Sequence, residues 1–153
     1  MCLICDRINM IKQGTNKYFV AELETGYVVL GDNQHFLGYT LFLCKQHATE
    51  LYNLEHSFMM KYLEEMALVA QAVQNTFGAK KMNYELLGNG DSHLYWHLFP
   101  RNDGDLEEYG VNGKGPVWWY PPEKMYSDSN KLSDQELERL KNKLLTEINK
   151  LLK

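Results

Sequence analysis

Several things that would mark a specialised architecture are missing from this chain of 153 residues. It has three cysteines, an odd and sparse number, which argues against a disulfide framework and leaves metal binding or ordinary burial. No apolar run approaches the ~20 residues that a bilayer-spanning helix needs. The opening Met1-Cys2-Leu3-Ile4-Cys5-Asp6-Arg7 has neither the basic segment nor the long apolar stretch of a secretory signal, so a cytoplasmic location is the expectation. A basic excess is also missing: the net charge of -4 supplies no positive field, and long nucleic-acid duplexes are not expected as partners. A small anionic ligand held by local groups is still compatible with that charge.

What is present resembles an ordinary soluble domain, with 44% hydrophobic and 24% charged residues. A chain of this size buries roughly two-thirds of its unfolded surface, enough for one domain spanning 1–153. Residues Tyr18–Leu23, Tyr27–Leu30 and Tyr39–Cys44 are rich in β-branched and aromatic side chains and predict three strands, the first two joined by a turn at Glu24-Thr25-Gly26. Leu63, Met66, Ala70, Val73 and Phe77 recur every three or four residues, a helical core stripe that Gly78 closes. Two more strands are expected, at about Asn83–Leu87 and Leu94–Phe99, with Pro100 ending the second. The glycine- and proline-rich stretch 101–131 reads as a long loop. Ser133-Asp134-Gln135-Glu136 is a capping box, and it opens a C-terminal helix over 133–153 striped by Leu137, Leu140, Leu144, Ile148 and Leu151. That stripe must pack on the domain or on a partner chain.

The segment His93-Leu94-Tyr95-Trp96-His97-Leu98-Phe99-Pro100-Arg101 carries the chemistry. Strand alternation sends His93, Tyr95 and His97 to one face and Leu94, Trp96 and Leu98 to the other. Two imidazoles and a phenol in a row could donate to phosphate oxygens, and an imidazole could protonate a leaving group near neutral pH. Periodicity alone is equally compatible with solvated histidines. Elsewhere, Cys2-x-x-Cys5 and Cys44-x-x-His47 supply two ligand pairs which by spacing would close a Cys₃His zinc site. Val117-Trp118-Trp119-Tyr120-Pro121-Pro122 gathers aromatics that could stack on a nucleobase or fill an interface or the core.

The His93–Arg101 segment resembles the signature of the histidine triad superfamily of nucleotide-binding proteins, His-φ-His-φ-His-φ-φ with a Pro-Arg end. The likeness extends back to Cys2-Leu3-Ile4-Cys5 and to Gly38-Tyr39-Thr40-Leu41-Phe42-Leu43-Cys44-Lys45-Gln46-His47, covering roughly residues 2–101. It implies an α+β fold, an antiparallel sheet of about five strands with helices packed against it, usually as a homodimer. It also implies attack by the middle histidine on an α-phosphate, through a nucleotidyl-histidine intermediate. For zinc it implies a different ligand set, Cys2, Cys5, His47 and His93, with Cys44 the substitute for His93. Such a closed four-ligand site is structural and tethers the N-terminus to the sheet.

Two positions depart from the family pattern. Tyr95 stands at the nucleophile position, and Tyr39 stands where many members carry another active-site histidine. The segment before the triad is short, Gly88-Asn89-Gly90-Asp91-Ser92, where Asn89 either contacts the ligand or simply forms a turn. The expected catalytic pair is Tyr95 and His97, and Asn89, Tyr39 and Trp118 are the expected substrate contacts. Two functions follow from the likeness. One is hydrolysis or transfer at the α-phosphate of nucleoside phosphoramidates or dinucleoside polyphosphates, impaired by Tyr95; the other is non-catalytic binding of a purine nucleotide.

Overall fold

The computed structural model describes residues 1–153. Five antiparallel strands, β1 (Phe19–Glu22), β2 (Gly26–Leu30), β3 (Thr40–Cys44), β4 (Lys81–Glu85) and β5 (Tyr95–Arg101), form one open sheet in the order β1-β2-β3-β5-β4. Together with four helices they make the expected α+β fold. Helix α1 (Leu3–Gln13) precedes the sheet, α2 (His56–Phe77) joins β3 to β4, and α3 (Pro122–Met125) and α4 (Asp134–Leu151) follow it. No helix is long and apolar enough to cross a membrane.

The sheet is covered on both faces, which is why every residue of β2 is buried. On one face α2 and α4 enclose the main core, with Val28, Phe42 and Leu98 from the sheet, Tyr62, Val69 and Val73 from α2, and Leu140, Leu144 and Ile148 from α4. The α4 stripe therefore packs on its own domain. On α2 the buried face is centred on Tyr62, Val69 and Val73, with Met66 and Phe77 at its flank. The helix begins a full turn and more before Leu63, because the Glu55 carboxylate accepts the N–H groups of Ser57 and Phe58 and caps it.

Three sequence expectations need correction. Helix α1 was not anticipated, although Ile4 and Ile8 are buried one turn apart, Ile11 packs beside them, and Gly14 closes the helix at φ 75°. Strand β4 lies two residues earlier than expected, at 81–85, and β5 runs through Pro100 to Arg101. Pairing with β3 stops at Leu98, so Pro100 sits where β5 is paired along one side only and a proline is tolerated. Finally, 101–131 is not structureless: Leu106, Val117, Tyr120 and Met125 join Phe36, Tyr39 and Phe99 in a second small core on the face away from α2 and α4.

Candidate functional site

The first turn of α1, the end of β3 and the approach to β5 converge on one point. Cys2 caps α1 and Cys5 lies one turn on, with its backbone N–H donating to the Cys2 Sγ. The Asp91 carboxylate accepts the Leu3 N–H at 2.9 Å, tying the same turn to the segment before β5. The ligand atoms of Cys2, Cys5, His47 and His93 all lie within 4.8 Å of one another. The two Nδ1 atoms are 3.2 Å apart, and Cys5 Sγ is 3.2 Å from that of His47 and 3.5 Å from that of His93. Cys2 Sγ is 3.6 Å from His93 Nδ1. A tetrahedral zinc with ordinary bond lengths separates its nitrogens by roughly 3.3 Å and nitrogen from sulfur by roughly 3.6 Å, so this donor set fits the ion.

The other side of His93 is engaged as a metal-binding histidine requires. Its Nε2 lies 2.7 Å from the Cys44 carbonyl, so the ring donates there and leaves the Nδ1 lone pair free. Cys44 contributes that carbonyl and not its sulfur. Its thiol is fully buried in the helix-covered core, where burial pushes it up to about 11. Cys44 is therefore outside the cluster, as strand alternation requires: its side chain faces α2 while the cluster lies on the α1 side. Burial and the neighbouring Cys2 also raise the Cys5 thiol, so loading with a metal must displace protons.

On the same side of the sheet, Tyr95 and His97 line a cavity of about 250 Å³. Tyr39, Leu41 and Leu43 contribute its floor, Leu3, Ile4 and Arg7 of α1 one wall, Asp32 and Asn33 another, and Trp118 and Tyr126 the rim. The Tyr39 ring stacks on Phe99 at 4.3 Å and presses on Gly31, where a Cβ would stand 2.3 Å from the ring. Only glycine allows that approach. The Tyr39 hydroxyl lies 2.6 Å from His97 Nδ1. Burial raises the phenol well above its ordinary value, so it keeps its proton, and His97 is the sole acceptor within its reach. Tyr39 therefore donates to Nδ1, and the N–H of His97 is on Nε2. Burial lowers His97 to about 4, so the ring is neutral at pH 7.

Tyr95 meets His97 edge-on at 4.9 Å between ring centroids, and burial raises its phenol as well. The Trp118 indole lies over His97 at 4.5 Å. It is held there from β4: the Glu85 carboxylate accepts the N–H groups of Val117 and Trp118 at 2.7 and 3.1 Å. Trp119, by contrast, is 73% exposed.

The structure thus brings Tyr39, Tyr95, His97 and Trp118 to one cavity, and Cys2, Cys5, His47 and His93 to one cluster beside it. Asn89 is exposed in the turn before β5 and does not line the cavity. Sequence reasoning missed Arg7, Asp32, Asn33 and Tyr126. Arg7 and Asp32 form a two-pronged ion pair at 3.0 and 3.1 Å, a link across 25 residues that leaves no local spacing signal. Buried Asn33 Oδ1 has no partner. The largest cavity, about 610 Å³, lies apart in the 101–113 loop and contains no imidazole or thiol.

Comparison with known proteins agrees with this geometry. No curated protein sequence matches the chain. Among solved structures, a histidine triad protein from Sinorhizobium meliloti 1021 superposes with a TM-score of 0.71 at 18% identity, over 88% of this chain and 93% of that one. A hypothetical histidine triad nucleotide-binding protein from Sulfolobus tokodaii strain7 gives 0.69 at 18% identity, over 96% and 93%. A Zn-bound histidine triad family protein from Mycobacterium smegmatis gives 0.64 at 17% identity, over 98% and 94%. These likenesses are of fold. The family profile described as the HIT domain matches residues 13–104, more than half of the chain, and the protein therefore belongs to the HIT domain family.

Proposed function

We propose that this protein binds a purine nucleotide in the Tyr95–His97 cavity, that zinc held by Cys2, Cys5, His47 and His93 fixes α1 against the sheet, and that hydrolysis or transfer at the α-phosphate is weak. The observation that carries this reading is the Tyr39 hydroxyl 2.6 Å from His97 Nδ1, from which it follows that Nδ1 accepts and the ring N–H is on Nε2. Such a ring donates a hydrogen bond to a phosphate oxygen and cannot accept a proton from a neighbouring nucleophile. With a pKa of about 4 it is also uncharged at neutral pH, which makes it a poor proton donor to a leaving group.

Tyr95 points the same way. A phenol is only about 0.1% ionised at pH 7 at its ordinary pKa, so it is a weak nucleophile, and a nucleotidyl-tyrosine is a phosphodiester without a labile P–N bond. In this site Tyr95 serves better as a second donor to the phosphate. Trp118 offers a face on which a base can stack. Zinc, when bound in a closed four-ligand site, supplies rigidity and not an activated water. The Sulfolobus relative is described as nucleotide-binding and the Mycobacterium relative as Zn-bound, which supports both halves of the proposal. A homodimer is expected, and light scattering that reports a single chain at high micromolar concentration would refute it.

The test pairs a binding measurement with a turnover measurement. Adenosine monophosphate binds, and an adenosine phosphoramidate is hydrolysed slowly. Tyr95→His raises that hydrolysis by at least about a hundredfold, because an unprotonated imidazole replaces the phenol, while nucleotide affinity changes by less than about threefold. Rates typical of an enzyme before the substitution and unchanged after it would show that Tyr95 is not at the nucleophile position. Failure of either form to bind nucleotide would remove the phosphate-site reading. Elemental analysis of protein purified without added metal checks the zinc, with one equivalent per chain expected.

A further inference from the structure

The four donors of the Cys/His cluster divide by origin. Both sulfurs come from α1, where Cys2 is the N-cap and Cys5 lies one turn on. Both imidazoles come from the sheet side: His47 follows β3 and His93 precedes β5. An ion held by this set is therefore a staple between helix and sheet, with all of its thiolate ligation on the helix. Cys2 and Cys5 are each partly exposed and His47 is exposed, while His93 is buried. A small reagent in solvent thus reaches the helix half of the cluster.

The two thiols are also placed to react with each other. Both sulfurs approach the same His93 Nδ1, at 3.6 and 3.5 Å. They lie within 4.8 Å of one another, and rotation about the side-chain bonds carries them toward the ~2.05 Å of a disulfide. Cys-x-x-Cys at the start of a helix is the spacing at which thiols form reversible disulfides. No other pairing competes, because the third thiol, Cys44, is wholly buried on the opposite face of the sheet among residues of the α2 core.

We infer that the cluster is a thiol-disulfide switch on α1: oxidation joins Cys2 to Cys5, removes both thiolate ligands, releases zinc and unfastens the helix from the sheet. This rests on the metal site proposed above. The oxidant is a small-molecule disulfide. One cysteine thiolate attacks a sulfur of that disulfide, forming a mixed disulfide and expelling one small thiolate. The other cysteine thiolate then attacks the protein sulfur of the mixed disulfide and expels the second. Two protein thiolates are oxidised, the small disulfide is reduced to two thiolates, and no proton is taken up or lost. Two imidazoles remain, too few for a closed four-ligand site. The effect reaches the cavity because Leu3, Ile4 and Arg7 of the same helix form one of its walls. Without the staple, α1 keeps the bond from the Leu3 N–H to Asp91, the packing of Ile4 and Ile8 and the Arg7–Asp32 pair. Oxidation therefore loosens the wall without unfolding the domain.

Incubation of the zinc-loaded protein with excess glutathione disulfide tests this, with a metallochromic dye reading free zinc and peptide mass spectrometry reading the cysteines. One zinc is expected for each Cys2–Cys5 disulfide formed, with reversal by dithiothreitol and added zinc. Cys44→Ala should release zinc to the same extent. Affinity for adenosine monophosphate should fall at least about fivefold on oxidation and return on reduction. Zinc retained with both thiols unreacted, a lasting glutathione adduct in place of the internal disulfide, or a disulfide that leaves zinc bound would each overturn the switch, as would zinc release that requires Cys44. Full release with unchanged affinity would overturn its connection to the cavity. A chain that takes up no zinc when the ion is added removes the metal site and the switch with it. If the reduced protein binds no adenosine monophosphate, the nucleotide reading fails, and the zinc and disulfide readouts still decide the switch.

Discussion

Leu94, Trp96 and Leu98 point into the core beneath α2 and α4, whereas His93, Tyr95 and His97, their immediate neighbours in sequence, point to the face that α1 and residues 102–131 cover. The first side is closed by long helices with continuous apolar stripes. Even its buried carboxylate is fully used: Glu65 accepts the N–H groups of Glu24 and Thr25 at 3.0 and 2.8 Å and also the Thr25 hydroxyl. Its one unpaired polar atom is the indole nitrogen of Trp96. The second side is closed piecemeal, by a short helix and a looped segment, and it keeps a cavity, two buried histidines and the unpartnered Asn33 Oδ1. One strand thus divides stability from chemistry residue by residue, and substitutions on its two sides should separate the two properties.

The largest effect is expected on the closed side. Leu144 is wholly buried between α4 and the sheet, and Leu144→Ala should cost about 3–4 kcal/mol in urea unfolding through lost burial and the cavity left behind. Nucleotide affinity of the folded protein should not change; a parallel loss of affinity would break the comparison.

Next comes the acid sensitivity of the open side. His97 is held near 4 in the folded protein and titrates near 6.5 when unfolded. Between those values the unfolded chain binds more protons, so this residue's contribution is complete above about pH 6.5 and is lost as the pH falls toward 4, by roughly 3 kcal/mol. Urea midpoints at pH 7 and pH 4.5 should fall much less in His97→Gln than in the unaltered protein. Equal falls would mean that His97 does not carry the dependence.

Glu65→Gln keeps the shape but replaces one of the two oxygens that serve three donors with a donating NH2 group, and should cost about 2 kcal/mol with no effect on ligand binding. The smallest effect sharpens the contrast most. Tyr39→Phe removes one buried hydrogen bond, about 1 kcal/mol, but also frees His97 Nδ1. Nitrogen NMR of the imidazole should then report a changed tautomer; an unchanged spectrum would refute the donor assignment.

How much of this was legible in the sequence follows the same divide. The five strands, α2 and α4 announce themselves because period and capping are local, and Leu137, Leu140, Leu144 and Ile148 all reach the core. The clustered Cys2, Cys5, His47 and His93 and the cavity residues Tyr39, Tyr95, His97 and Trp118 are legible from motif and likeness together. Helix α1 was obscured by reading Cys2 and Cys5 as ligands only, although Ile4, Ile8 and Ile11 carried its periodicity. Arg7–Asp32 and Glu85–Trp118 are pairings across the fold, and nothing in the spacing of either announces it.

Helix α1 meets the Cys/His cluster through Cys5 and its N-cap Cys2, and the Tyr95–His97 cavity through Leu3, Ile4 and Arg7. Two sites that share one rigid rod are linked thermodynamically: whatever holds the rod at one of them lowers the cost of holding it at the other, and the coupling is equal in both directions. Stripping zinc should therefore weaken nucleotide binding, and saturating nucleotide should raise zinc affinity, read by equilibrium competition with a chelator, by the matching factor. In the same way, hydrogen exchange of the amides of residues 3–13 should slow with either ligand and most with both.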